Sequence, residues 1–221
     1  MKKRYKVLIS IIIVLVAIPL FDFFILRDSV MEDIYRNVYW GDLSRINRME
    51  GIHRLDDEAI DGLLWMSNET SIWTFFEEEN LKDGFEVYVT IPTKKERRNT
   101  PITFQGVYYL SENEIIHIGI KYNHKTRSIT YTPIYIFEEN TEGEFGYLTN
   151  EKDINECLDK YGITEADIRE YQHYILYDVV YQSWISGTRN GRKLNVLDYW
   201  NIKEIDNTFS FEENVSDEET M

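Results

Sequence analysis

The 221 residues include 24 Lys and Arg against 39 Asp and Glu, a formal charge of −15, with 43% apolar and 14% aromatic residues. That length suits one domain with an appendage, and the composition suits a packed core and excludes a wholly disordered or fibrous chain. The excess of acid argues against a nucleic-acid partner, whose phosphates are bound through cations that displace counterions. The single cysteine, Cys157, excludes an internal disulfide and a Cys-rich zinc site.

The chain begins with four cations, Lys2, Lys3, Arg4 and Lys6, followed by an apolar run from Val7 to Leu26 in which Asp22 is the only charged residue. A helix of that length crosses ~30 Å of hydrocarbon at ~1.5 Å per residue. The run ends in Phe-Asp-Phe-Phe-Ile-Leu-Arg, without the small residues of a signal-peptidase site, so it reads as an uncleaved membrane anchor. A lipoprotein anchor would need a cysteine at the end of the run. Without Lys2, Lys3, Arg4, Lys6, Arg27 and Asp22, residues 28–221 have a formal charge of −19. The positive-inside rule keeps residues 1–6 in the cytoplasm and places the acidic bulk outside, a single-pass membrane protein with an extracellular C-terminal domain.

After the anchor, residues 27–52 read as a stalk or helix containing Ile34, Val38 and Tyr39, and a short helix is predicted over Leu55–Met66. Then the period changes to two. Phe85, Val87, Val89 and Ile91 share one face of a strand, as do Ile102, Phe104, Tyr108 and Leu110 of a second and Ile116, Ile118, Ile120 and Tyr122 of a third. A fourth run, Arg127–Phe137, contains Pro133, which marks an edge or a bulge; counted as one extra residue, it brings Ile129 and Tyr131 onto the face of Ile134 and Ile136. Ser71–Phe76 is expected to add a strand. Past Glu142-Gly143-Glu144 the spacing becomes helical: Asn150 caps one helix that Gly162 ends, and Thr164 with Asp167 forms a capping box for the next. The second helix has a stripe of Ile168, Tyr171, Ile175, Leu176, Val179 and Trp184. Leu194–Ile205 follows as a possible last strand, and residues 212–221 as a disordered acidic tail. The predicted fold is α+β: an antiparallel β-meander over residues 53–211 with C-terminal helices packed on one face, preceded by an N-terminal transmembrane helix.

Chemistry is sparse. There is no phosphate-binding glycine loop, no His-Glu-x-x-His, no Gly-x-Ser-x-Gly and no calcium loop, and the four histidines, His53, His117, His124 and His173, lack ligand spacing. No metal, cofactor or catalytic residue is expected. Cys157 reads as packing, the Glu77-Glu78-Glu79 run as solvated charge, and the basic run Lys94–Arg98 as a solvated loop or a contact with an anionic membrane or partner. The second face of the predicted sheet holds Glu86, Tyr88, Gln105, Tyr109, His117 and Lys121, with Val107 and Thr130. Such a mixture fits a partner-binding interface, and it equally fits tyrosines buried under a second helical layer.

The stretch Cys157-Leu158-Asp159-Lys160-Tyr161-Gly162-Ile163-Thr164-Glu165-Ala166-Asp167-Ile168, followed by Tyr174-Ile175-Leu176-Tyr177-Asp178-Val179-Val180 and Trp184, resembles the C-terminal helical region of the TipC family of immunity proteins. The similarity is good over residues 150–205 and carries no catalytic signature. It implies a Gram-positive, streptococcal, non-enzymatic antidote that is anchored in the membrane and binds a cognate toxin exported by type VII secretion, the toxin acting on the lipid II precursor of the cell wall. The other reading of an anchored, acidic ectodomain is a cell-surface hydrolase acting on wall polymer.

Overall fold

A computed structural model describes residues 13–18, 29–39, 41–56, 72–92, 100–139, 145–148, 150–188 and 202–211. Their centre is an eight-stranded sheet: β1 (Ile72–Phe75), β2 (Phe85–Ile91), β3 (Ile102–Tyr109), β4 (Glu114–Asn123), β5 (Ser128–Tyr131), β6 (Tyr135–Glu139), β7 (Phe145–Leu148) and β8 (Lys203–Asp206). Strands β1 to β5 pair antiparallel in chain order, and β2 is buried at every second residue, as its alternation predicts.

The meander ends at the bulge. Ile120 pairs with Tyr131 and His117 with Tyr135, so three steps along β4 face four on the opposite chain. One residue is extra. Both the N–H of Thr132 and its Oγ1 donate to the carbonyl of Gly119, at 2.9 and 3.2 Å. Gly119 is needed there, because a Cβ would lie 2.2 Å from Thr132 Oγ1. The predicted fourth strand is therefore two strands along one edge of β4, and the sheet forks beyond them. Strand β7 pairs antiparallel with β6, while β8 returns parallel to β5. This corrects the purely antiparallel meander. The parallel pair needs a long crossover, which the C-terminal helices supply.

Those helices are α2 (Glu151–Tyr161), α3 (Glu165–His173) and α4 (Gln182–Gly187), the last two joined through a π-helical segment, Tyr174–Tyr181. Asn150 caps α2, Gly162 ends it in the left-handed region at φ 68°, and Thr164 and Asp167 close the capping box on α3. Ile168, Ile175, Leu176, Val179 and Trp184 are buried against the sheet. Gly106 lets them approach: a Cβ there would lie 2.1 Å from Ile175 Cδ1. At one end Lys160 Nζ donates to both oxygens of Glu114 at 2.8 Å, and the Tyr161 hydroxyl donates to the same carboxylate.

The helical layer also has an N-terminal member, in the segment read from the sequence as a stalk or helix. Helix α1 (Val30–Ile34) continues as a π turn, Tyr35–Tyr39, and Val30, Met31, Ile34 and Val38 are at most 2% exposed. Tyr39 donates to the carbonyl of Thr90 at 3.1 Å, and Trp184 Nε1 to Asp33 at 2.8 Å, so this N-terminal segment is bonded both to β2 and to α4. The described residues of 29–52 supply ten side chains of the core.

Of the apolar run 7–26, residues 13–18 are described and helical, with Ile13, Val14, Leu15, Val16 and Ile18 53–64% exposed. No helix of the described residues is long and apolar enough to cross a membrane. The predicted helix beyond residue 56, the basic run 94–98, most of the stretch leading to β8 and the acidic tail lie outside the described residues.

Candidate functional site

Alternation turns every second side chain of β2, β3 and β4 away from the helices, and the register sorts these into rows. Tyr109 is opposite Ile115, Ile115 opposite Phe137 and Phe137 opposite Tyr147. The next row is Glu86, Val107, His117 and Tyr135, and the one after it Phe75, Tyr88, Gln105 and Gly119. Lys121 belongs to the last row, between Thr103 and Thr130. All six residues singled out from the sequence thus share one face, the face opposite the helices. Tyr109 is 41% exposed, Phe75 38% and Tyr147 61%, which marks this face as open.

Its chemistry is that of a contact surface. The two oxygens of Glu86 accept from two phenols, Tyr109 at 2.6 Å and Tyr88 beside it. Hydrogen bonding to Glu86, with burial, pushes the Tyr109 hydroxyl up to about 12; burial, then Glu86, also raises Tyr88. Both therefore remain neutral donors, and both lone-pair-bearing oxygens of Glu86 are already occupied as acceptors. Burial lowers the His117 pKa below 6.5, leaving a neutral ring 6.1 Å from Phe137, whose ring in turn meets that of Tyr147 at a tilt of 49°, centroids 4.1 Å apart. Glu86 and Lys121 bring the charge among the six, at separate rows.

Among the contributors that escape the sequence reading are Phe75, Ile115, Tyr135, Phe137 and Tyr147. The signal for Phe137 was present, since an extra residue at Pro133 that turns Ile134 and Ile136 inward also turns Phe137 outward. Tyr147 lies in a four-residue strand, too short for periodicity to declare.

The other histidines are in ring contacts. His53 stacks on Phe75, the His173 ring is tilted against Tyr177, and His124 both stacks on Tyr35 and meets Glu32. Cys157 is buried, its thiol pushed up to about 11. Among the described residues no three His, Cys, Asp or Glu side chains come together to hold a metal. A groove of about 530 Å³ between residues 47–54 and the end of α4 sets Arg48 and Arg54 against Glu50 and Glu77. Its lining includes His53, whose ring stacks on Phe75 at one edge of the open face.

A non-catalytic contact face on a forked sheet matches one family. The family model described as TipC immunity protein-like matches residues 2–207. The chain belongs to that family. Membership makes it a non-enzymatic immunity protein, implies a cognate toxin as its partner, and sets aside the hydrolase reading. Among solved structures it is similar to TipC2 from Streptococcus intermedius B196, with 15% identity and a TM-score of 0.57, covering 81% of this chain and 96% of that one. At that identity the likeness is one of fold. No curated protein matches the chain.

Proposed function

We propose that the chain is a membrane-anchored, extracellular immunity protein that holds its cognate toxin on the open face of the sheet and covers the toxin's substrate site. The observation that carries this reading is the convergence of Glu86, Tyr88, Gln105, Tyr109, His117 and Lys121 on one open face while both helical segments occupy the other. Tyrosines with an apolar body and a fixed donor, ringed by Thr and Gln, are what a specific protein contact uses. The anchor reading is supported by the apolar run after four cations and by the exposed aliphatic side chains of residues 13–18. The toxin, on the family resemblance, is exported by type VII secretion and attacks a cell-wall precursor outside the membrane. A formal −19 on residues 28–221 speeds encounter with a cationic toxin surface, an advantage that falls as salt rises.

Two measurements test it. An epitope placed after Met221 is digested when protease is added to intact cells, and cells carrying the full chain survive toxin applied from outside. A shielded epitope overturns the topology, and unprotected cells with a digested epitope overturn the immunity mechanism.

A further inference from the structure

The acids of this chain are unevenly spread. From Ile115 to Phe137 there is not one Asp or Glu, although 39 occur in 221 residues; the charged groups of that stretch are Lys121, Lys125 and Arg127, with His117 and His124. The fold places two of these cations and His124 in one turn. Asn123 Oδ1 accepts from the N–H groups of Lys125 and Thr126 at 2.9 and 3.3 Å, and Arg127 takes a left-handed φ of 48°, so the turn between β4 and β5 is fixed with Lys125 and Arg127 exposed. Strand β8 brings in exposed Lys203, whose N–H donates to the carbonyl of Arg127 at 3.0 Å. The neighbouring Glu204 is turned to the hydroxyls of Tyr131 and Tyr177.

This basic corner is tied to the first element after the apolar run. His124 Nδ1 lies 3.0 Å from the carboxylate of Glu32, its ring stacks on Tyr35 at 4.1 Å, and Tyr122 also donates to Glu32. Arg36 reaches the same carboxylate at 3.3 Å while remaining half exposed. Glu32 itself is 2% exposed, so its charge is spent inside the cluster and not shown to solvent. Ser29, the N-cap of α1, follows Leu26 by three residues, a reach of about 10 Å at most. The corner is therefore leashed close to the point where the chain leaves the apolar run.

We propose that the β4–β5 turn, with Lys203 and Arg36, docks on anionic lipid headgroups and fixes how the domain stands on its membrane. This rests on the anchored reading. Lipid phosphates are the complementary partner in charge, and the leash keeps them within one or two Debye lengths of the turn. The consequence is directional. Ile115, in the exposed aromatic row, is eight residues along β4 from Asn123, so the row is held up to ~27 Å farther from the bilayer, at ~3.3 Å per residue. Docking by one end of the sheet leaves its open face to the toxin.

The test uses the full chain with Thr126→Cys, an exposed turn position, labelled with an environment-sensitive fluorophore; buried Cys157 stays unreactive. The labelled protein is reconstituted into vesicles of phosphatidylcholine alone or with phosphatidylglycerol, each containing a headgroup nitroxide quencher. Quenching is expected with phosphatidylglycerol and not without it. It is expected to vanish as salt is raised from about 0.1 to about 1 M, and to fall about fivefold for each cation lost in the charge reversals Lys125→Glu and Arg127→Glu. Equal quenching in both lipids, or quenching indifferent to salt and charge reversal, overturns the inference. A chain that washes out of the vesicles at alkaline pH overturns the anchored reading itself, whereas a retained chain with an unquenched label overturns the docking alone.

Discussion

The two faces of the sheet use overlapping residue types for opposite ends. On the covered face Phe85, Tyr108, Tyr171 and Tyr174 form a cluster with ring centroids 4.6–5.2 Å apart, closed over by α3 and the π segment. On the open face Tyr88 and Tyr109 hold Glu86, and Phe137 makes a tilted contact with Tyr147, which is 61% exposed. A tyrosine on either face looks the same in sequence. What separates them is the partner, helix or solvent, and that assigns stability to one face and recognition to the other.

The largest effect that would sharpen this contrast lies on the covered side. Trp184 is 1% exposed and its indole N–H is bonded to Asp33 at 2.8 Å, so it joins the first helix to the last. Trp184→Ala is expected to cost about 3–5 kcal/mol, through the cavity it leaves and the lost hydrogen bond to Asp33, whose other oxygen keeps its bond from Asn37 Nδ2. Urea unfolding of the variant measures it; a loss under ~1 kcal/mol would mean that the helical layer is not one packed unit.

The opposite behaviour is expected across the sheet. Tyr109→Ala together with Phe137→Ala should leave stability within about 1 kcal/mol yet weaken toxin binding on the order of 100-fold, because exposed aromatic anchors carry most of an interface's energy. Calorimetric titration and thermal unfolding of the same sample decide between the faces. If both readings fall together, the open face is a fold determinant and the contrast breaks.

Much of this division was legible beforehand. Period-two runs place Val87, Phe104 and Ile118 inward and Glu86, Gln105 and His117 outward, and the structure keeps every one of those assignments. The extra residue near Pro133 was also readable, because a shift of the apolar face is itself the signature of a bulge. Illegible were the consequences of long-range pairing. Nothing local to Lys203–Asp206 says that β8 will lie parallel to β5, and nothing local to Val30–Ile34 says that this helix will be core: its burial depends on Tyr122, Thr90 and Trp184, which are far away in the chain. For the site, the same limit hid Tyr147, which joins the face through a pairing the sequence does not announce.

A moderate effect tests the seam where the covered face meets the corner around His124. Burial by itself would raise the Glu32 carboxyl, but Tyr122, His124 and Arg36 reverse this and hold it below its ordinary 4.5; Glu114 is lowered likewise, by Lys160 first and then Tyr161. A depressed carboxyl stabilises the fold above its unfolded value, and that contribution disappears as pH falls through the lower folded value. Stability should thus be flat between about pH 5 and pH 7 with respect to these groups and decline below about pH 4.5. Glu32→Gln should cost about 1–2 kcal/mol at neutral pH, less than a fully enclosed pair because His124 and Arg36 are partly solvated, and should flatten the acid decline. An unchanged decline in the variant would remove Glu32 from the account.

The smallest expected effect guards the comparison from the outer side of the helical layer. Lys152 and Glu156 on α2 are 3.6 Å apart, one turn from each other, with 81% and 68% of their side chains exposed. Water screens such a pair and both long side chains lose entropy in holding it, so Lys152→Ala should change stability by no more than about 0.5 kcal/mol. On the proposed docking face its effect on toxin binding should be nil, because α2 packs on the opposite, covered face. That makes it a sensitive control on direction: removing one cation makes the chain more acidic and raises long-range attraction to a cationic partner slightly, while touching no contact. An association rate that rises a little at low salt, with an unchanged dissociation rate, fits a toxin seated across the sheet. A faster dissociation rate would instead put the toxin on the helices and reverse the roles of the two faces.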